Sequence, residues 1–169
     1  NETFPLVRGR DRKLLIDRQM DRVFRALAFR CAISQGRVIG TKTENALLLG
    51  VTNPEMLIPW LDVMHRAQTP VRGVYSVPLL STHIARALPS KNPHILLISQ
   101  QLGSGWRQTY THGNHIKLSR LINSLPTGKV LMDDLLEEIR KTHRYIQSLK
   151  LLGREDKLEV WIAGDESTF

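Results

Sequence analysis

A single cysteine in 169 residues excludes an internal disulfide, so packing must hold the fold. That cysteine, Cys31, sits in the largely apolar stretch Ala28–Ile33, which predicts a buried strand residue and agrees with a reducing setting. No apolar run approaches the roughly 20 residues that span a bilayer, and no basic-then-apolar leader resembles a secretory signal. Acidic residues are scarce on the predicted strands. A two-metal nuclease needs carboxylates clustered at strand ends, so that chemistry is disfavoured. There is no HExxH pattern and no cysteine pair. His112 and His115 flank a predicted turn and their rings could converge, but structural zinc normally takes four close ligands. A polar hairpin tip is the simpler expectation, and no metal is expected. No Gly-x-Ser-x-Gly elbow occurs; Gly103-Ser104-Gly105 lacks both its spacing and its strand-to-helix context. No repeat and no low-complexity tract interrupts the chain.

What the chain does have is positive charge. Lys and Arg number 24 against 16 Asp and Glu, a formal +8 at neutral pH. Such a balance favours acidic partners: an acidic protein, an anionic membrane surface or nucleic acid. Much of it falls near the start, at Arg8, Arg10, Arg12, Lys13, Arg18, Arg22, Arg25 and Arg30. Asp11, Asp17 and Asp21 interleave, which predicts a mixed, solvated helix face. Arg12, Arg18 and Arg22 are the candidates for docking on an acidic chain or on the cytoplasmic leaflet, at roughly 1 kcal/mol per basic residue.

Hydrophobic periodicity gives an alternating first part. A helix is expected over Arg12–Leu27, with Asp11 as N-cap and Ile16, Met20, Val23 and Leu27 on its apolar face. Strands are expected at Ala28–Ser34, before a turn at Gln35-Gly36, and at Ala46–Val51, fully buried because it is continuously apolar. Thr52-Asn53-Pro54 opens a helix that would carry Met56, Leu57, Trp60, Leu61 and Met64 inward. Val71–Val77 reads as a strand, and Pro78 opens a helix with Leu80, Ile84 and Leu88 on one side. Pro89–Pro93 is the expected boundary between a first lobe, 1–89, and a second, 90–169.

The second lobe reads as three strands, Ile95–Ser99, Trp106–Thr111 and His115–Leu121, with a tight turn at His112-Gly113-Asn114 and a loop over Ile122–Lys129. A long helix follows, marked by Leu131, Leu135, Ile139, Ile146 and Leu149. Its acidic residues Asp133, Asp134, Glu137 and Glu138 come early and its basic residues late, as the helix dipole prefers. Leu158–Ala163 is the final strand. Ile95–Arg107, ILLISQQLGSGWR, is the most informative segment: a strand, a Gly-Ser-Gly turn and a returning strand, in which glycine lets backbone N–H groups converge on an anion. Trp106 directly follows the turn and, if exposed, is a candidate anchor for a protein partner.

Three antiparallel strands, a helix and a further parallel strand is an order that resembles a ribonuclease-H-like half-unit. On this order, and on Ala46–Leu80 and His94–Leu121, the chain resembles the actin-like ATPase superfamily. It is most similar to a degenerate branch, the actin-like pilus-assembly proteins and the cytoplasmic L-type platform proteins of type II secretion, and to uncharacterised proteobacterial proteins. The resemblance implies an α/β class with mixed sheets flanked by helices, in two small lobes that are incomplete relative to a full actin-like fold. In active relatives the phosphate turn resembles Asp-hydrophobic-Gly-small-Gly-Thr-Thr. Here the match is Gln101-Leu102-Gly103-Ser104-Gly105-Trp106-Arg107. Gln101 stands for the aspartate, and Trp106 and Arg107 for the two hydroxyls. The resemblance thus implies a degenerate nucleotide site at Gln101, Gly103, Ser104, Gly105 and Arg107. The implied role is a non-catalytic scaffold, cytoplasmic and at the inner-membrane face, with a protein partner, no cofactor and no catalytic residue. Membrane association would come only through residues or subunits outside this chain. An ATP-binding enzyme of the same fold and a nucleic-acid-binding module, the latter disfavoured, are the alternatives.

Overall fold

Phe4, Met20 and Ala46 form the small apolar centre of the first of two units, Asn1–Val74, in a computed structural model that describes residues 1–113, 115–122 and 129–165. Its sheet has the order β1-β3-β2, built from β1 (Glu2–Pro5), β2 (Arg30–Arg37) and β3 (Thr43–Gly50), all antiparallel. The expected Gln35-Gly36 turn is instead an irregularity inside β2, between Ser34 and Arg37, with Gly36 at φ 85°. The chain reverses later, around Gly40, where Val38 N–H donates to the Thr43 carbonyl at 2.9 Å. A bulge absorbs one extra residue and lets the strand run on.

Helix α1 (Gly9–Val23) begins and ends earlier than its periodicity suggests. Asp11 lies in its first turn, where it complements the dipole; Arg8 holds the cap position. At Phe24 the backbone leaves the helix, and Phe24 and Leu27 lie over Gly50. A Cβ built on Gly50 would stand 2.6 Å from Leu27 Cδ1 and 3.1 Å from the Phe24 ring, so a side chain here would require the Leu27 tip and the Phe24 ring to shift.

Cross-strand pairs place Ala32, Ser34, Glu44 and Ala46 on the face that α1 addresses through Arg12, and Cys31 and Ile33 on the other. Cys31 is therefore exposed, a correction to its expected burial. For the same reason β3 is only partly buried rather than fully so.

Two prolines divide the next helix. Pro54 opens a 3-10 turn (Pro54–Met56), and Pro59 occupies the first turn of α2 (Ile58–Arg66). Met56, Trp60 and Met64 are exposed, not inward as expected, and Leu57 and Leu61 are only partly buried; Trp60 is 70% accessible. Val71–Val77 forms no strand, because its β-branched residues find no ladder partner among the described residues.

The second unit, Tyr75–Phe169, holds α3 (Val77–Ala87), β4 (His94–Gln101), β5 (Gly105–His112), β6 (His115–Ile122), α4 (Lys129–Ser148) and β7 (Glu159–Ala163). Its sheet order is β6-β5-β4-β7: an antiparallel meander with β7 parallel to β4. A parallel neighbour needs a crossover, and α4 supplies it. On one face Leu96, Ile98, Trp106 and Tyr110 pack with Leu135, Ile146 and Leu152. Ile95 and Leu97 point the other way, so β4 is buried on both sides and reads as an unbroken apolar run.

Helix α3 packs on β4, β5 and β6 through its small residues Ser81 and Ala85, while Leu80 and Ile84 are exposed. The side carrying Leu80 and Ile84 is thus not the packed one: small side chains allow a closer approach than leucines would. The division between units falls after Val74, not at Pro89–Pro93. That connector is stitched into the second unit, where Ser90 Oγ donates to Glu159 at 2.6 Å and Asn92 Nδ2 to the Lys157 carbonyl at 2.8 Å. Most of the expected 122–129 loop, Asn114 of the expected turn and the Leu131 side chain lie outside the described residues. The chain is thus a mixed α/β protein with two sheets. Among the described residues no helix is long and apolar enough to cross a membrane.

Candidate functional site

The Gly-Ser-Gly segment is the tip of the β4–β5 hairpin, closed by the Gln101–Gly105 pair. Gly103 and Gly105 take φ values of 71° and 90°, which a side chain would resist. The Ser104 N–H is already spent on the Gln101 carbonyl at 2.9 Å. Gln101 turns its amide onto its own strand, donating to Ser99 Oγ at 3.0 Å and to the Gln100 carbonyl at 3.3 Å. Leu102 stands almost wholly in solvent. No carboxylate occurs between Ser99 and Arg107.

Strand alternation then sends the next two residues to opposite faces. Trp106 is 4% accessible and lies in the main core, so it is not the exposed anchor considered from the sequence. Arg107 goes to the other face, where Nη1 donates to Ser119 Oγ at 3.3 Å, and Ser119 in turn meets Thr109 Oγ1 at 3.1 Å. The hairpin thus brings Gln101, Gly103, Ser104 and Gly105 together and directs Arg107 and Trp106 elsewhere.

The three basic candidates of α1 are not gathered either. Arg12 reaches inward and grips Glu44 with two hydrogen bonds, Nε to Oε1 at 2.6 Å and Nη2 to Oε2 at 3.1 Å. Arg22 lies 3.8 Å from Glu2, and Arg18 is exposed. Arg12 is a structural pin, and its guanidinium holds the Glu44 carboxyl below the usual carboxylate value.

Two polar clusters were missed in the sequence. On β5, Gln108 points into the core between Trp106 and Tyr110. Its Oε1 accepts from Thr142 Oγ1 of α4 and from Arg120 Nε at 2.9 Å; Arg120 Nη2 donates on to Glu138 at 2.7 Å. Lys141 also donates to Glu138, at 2.8 Å, and is the largest cause holding that carboxyl low. Glu138 is therefore committed to this network rather than merely solvated. The inward alternation of Trp106, Gln108 and Tyr110 was the available signal.

The second cluster joins His94, Tyr110, His112 and Asp156. His94 and His112 are opposite partners on β4 and β5, with ring centroids 4.5 Å apart. His94 Nδ1 shares a hydrogen bond with Tyr110 Oη at 2.8 Å, and Tyr110 Oη donates to the Leu151 carbonyl at 2.8 Å. Burial, then the nearby Asp156, pushes the Tyr110 hydroxyl up to about 12, so it remains a donor. Among the described residues, no three metal-ligating side chains converge.

Burial first, then neighbouring positive groups, lowers the pKa of both His112 and His115. The unfolded chain then binds more protons than the folded one on acidification, so stability present above the ordinary histidine value near 6.5 declines as pH falls through the lowered folded values. Urea midpoints measured from pH 7.5 to 5 should drop, and His112→Gln with His115→Gln should flatten that drop. An unchanged profile in the double variant would rule out these two residues as its source. No protein-family model and no curated protein sequence matches the chain.

Proposed function

We propose that the chain is a nucleotide-degenerate module of the actin-like, ribonuclease-H-like class. It serves as a non-catalytic scaffold that binds other proteins, at the cytoplasmic face of a pilus- or secretion-type membrane assembly. The strand order β6-β5-β4-β7, with α4 as the crossover, supports the fold part of this reading. One observation carries the functional part: the side chains at the positions matched to the phosphate turn's aspartate and hydroxyls are engaged within the unit. Gln101 bonds its own strand, Arg107 bonds Ser119, and the indole of Trp106 fills the core. Magnesium with phosphate is held through carboxylates, and Gln101, at the position matched to the aspartate, is a neutral amide. A lone guanidinium would not position an attacking water.

Titration calorimetry of the purified chain with ATP and magnesium tests this. No binding heat, no rise in Tm and no phosphate release are expected. Stoichiometric heat with turnover would overturn the scaffold reading in favour of an ATPase of the same fold.

A further inference from the structure

The outer edge of β7 is an unpaired, partly apolar edge of the second unit's sheet. β7 pairs with β4 on one side, and among the described residues its other side carries no strand. An open edge is a template for another extended chain, and proteins usually blunt it with lysine, proline or a bulge. The five residues of β7, Glu-Val-Trp-Ile-Ala, include no lysine or proline, and their register with β4 is unbroken. Val160 and Ile162 remain more than one third accessible on the α4 face, and Trp161 is partly accessible on the other.

Beside this edge, α4 and β7 bound an open groove of about 500 Å³. Ile139, Leu158 and Val160 give it an apolar floor; Arg140, His143 and Arg144 give it a basic rim. The neighbouring carboxylates are engaged elsewhere. Glu137 pairs with Lys141 at 3.3 Å, Glu138 with Arg120 and Lys141, and Glu159 accepts from Ser90 and from Trp161 Nε1. Arg140 and Arg144 have no hydrogen-bond or ion-pair partner among the described residues.

We infer that β7 and this groove dock an extended, acidic segment of a partner protein, added to the sheet as a fifth strand. Backbone hydrogen bonds along the edge supply affinity, and side-chain contacts supply selectivity. Carboxylates on the α4 side reach Arg140 and Arg144, while apolar residues on the opposite side rest against Trp161. A second copy of this chain fits poorly. Pairing two β7 edges would bring two pairs of unneutralised arginines to one seam, on molecules that each carry a formal +8. The inference rests on the protein-binding reading for its purpose. Nucleotide turnover would overturn that reading and leave the edge untouched, whereas the experiment below addresses the edge alone.

The probe is a ten-residue peptide alternating valine and glutamate, with a valine–lysine peptide as its charge-reversed control. Binding to the whole chain is followed by fluorescence anisotropy at low and moderate salt, and by amide hydrogen exchange. The acidic peptide should bind, weaken with salt and slow exchange at those amides of Glu159–Ala163 that point away from β4. Arg140→Glu with Arg144→Glu, both at exposed positions, should weaken it at least tenfold and admit the lysine peptide instead. Equal binding of the two peptides to the unaltered chain, no protection in β7, or binding indifferent to the double variant would each overturn the proposal. So would outward-facing β7 amides, those not bonded to β4, already protected without peptide, which would mean the edge is covered by the chain itself, or protection of them that grows with protein concentration, which would mean it is covered by a second copy.

Discussion

Trp106→Ala should lower the stability of the second unit by about 3–5 kcal/mol, the range for truncating a large buried aromatic. The indole packs in one cluster with Leu96, Ile98, Leu135, Ile146 and Leu152, and the site has little room to collapse because β4 is fixed by strands on both sides. The chain has two units, so a single global unfolding curve would mix them. Amide exchange at Leu96 and Ile98, read against urea, isolates the relevant one. A loss below 1 kcal/mol would mean that the indole is not core, and would restore Trp106 as an exposed anchor beside the glycine turn. The result therefore bears on function: it separates a turn built around a ligand from a turn that closes a hairpin.

Arg12→Ala should cost about 2–3 kcal/mol in the first unit. Breaking a buried pair by removing one partner typically costs 3–5 kcal/mol, but the Arg12 side chain is 35% accessible and solvent screening reduces the figure. The variant strands the buried Glu44 carboxylate with Ser34 Oγ at 3.4 Å as its remaining partner. The pH dependence gives a second readout. Arg12 holds the folded pKa of Glu44 below 4.5, so the pair's stabilisation is present above that value and is lost as pH falls through the lower folded one. In Arg12→Ala this acid loss should shrink, since burial raises the carboxyl and only Ser34 and Arg37 still act against it. Urea midpoints at pH 7 and 3.5 distinguish the cases: parallel curves for the two proteins would show that the pair contributes nothing.

How legible this was depended on whether a segment could settle its own environment. The meander of the second unit was readable because Ile95–Ser99 is a buried run, the glycines mark its end, and the returning strands alternate. Val71–Val77 has similar β-branched chemistry but no partner strand among the described residues, and a strand exists only as a pair. The buried face of α3 was not legible, because hydrophobicity marks the side of Leu80 and Ile84, while close packing selected Ser81 and Ala85. Cys31 was misread because an apolar context does not say which face of a sheet is covered. At the candidate site, the position of the hairpin was legible and the direction of its side chains was only partly so. Alternation from Trp106 already implied that Arg107 must point the other way. The stacking of His94 on His112 depended on a pairing register between segments 18 residues apart, which no local pattern encodes.

The Gln108–Thr142 contact has a consequence for how α4 finds its seat. Along its inward line the helix offers Leu135, Ile139, Thr142 and Ile146. Slid by one turn, the aliphatic positions would exchange places with little change in contact, and hydrophobic burial alone would scarcely tell the two seats apart. Thr142 is the one position that cannot be exchanged: only the observed seat meets Gln108, and only there does Glu138 meet Arg120. A buried polar contact of this kind adds little net stability and instead selects one alignment among near-equals. It acts as a key cut into an otherwise smooth shaft, and it fixes where Arg140 and Arg144 stand beside the open edge.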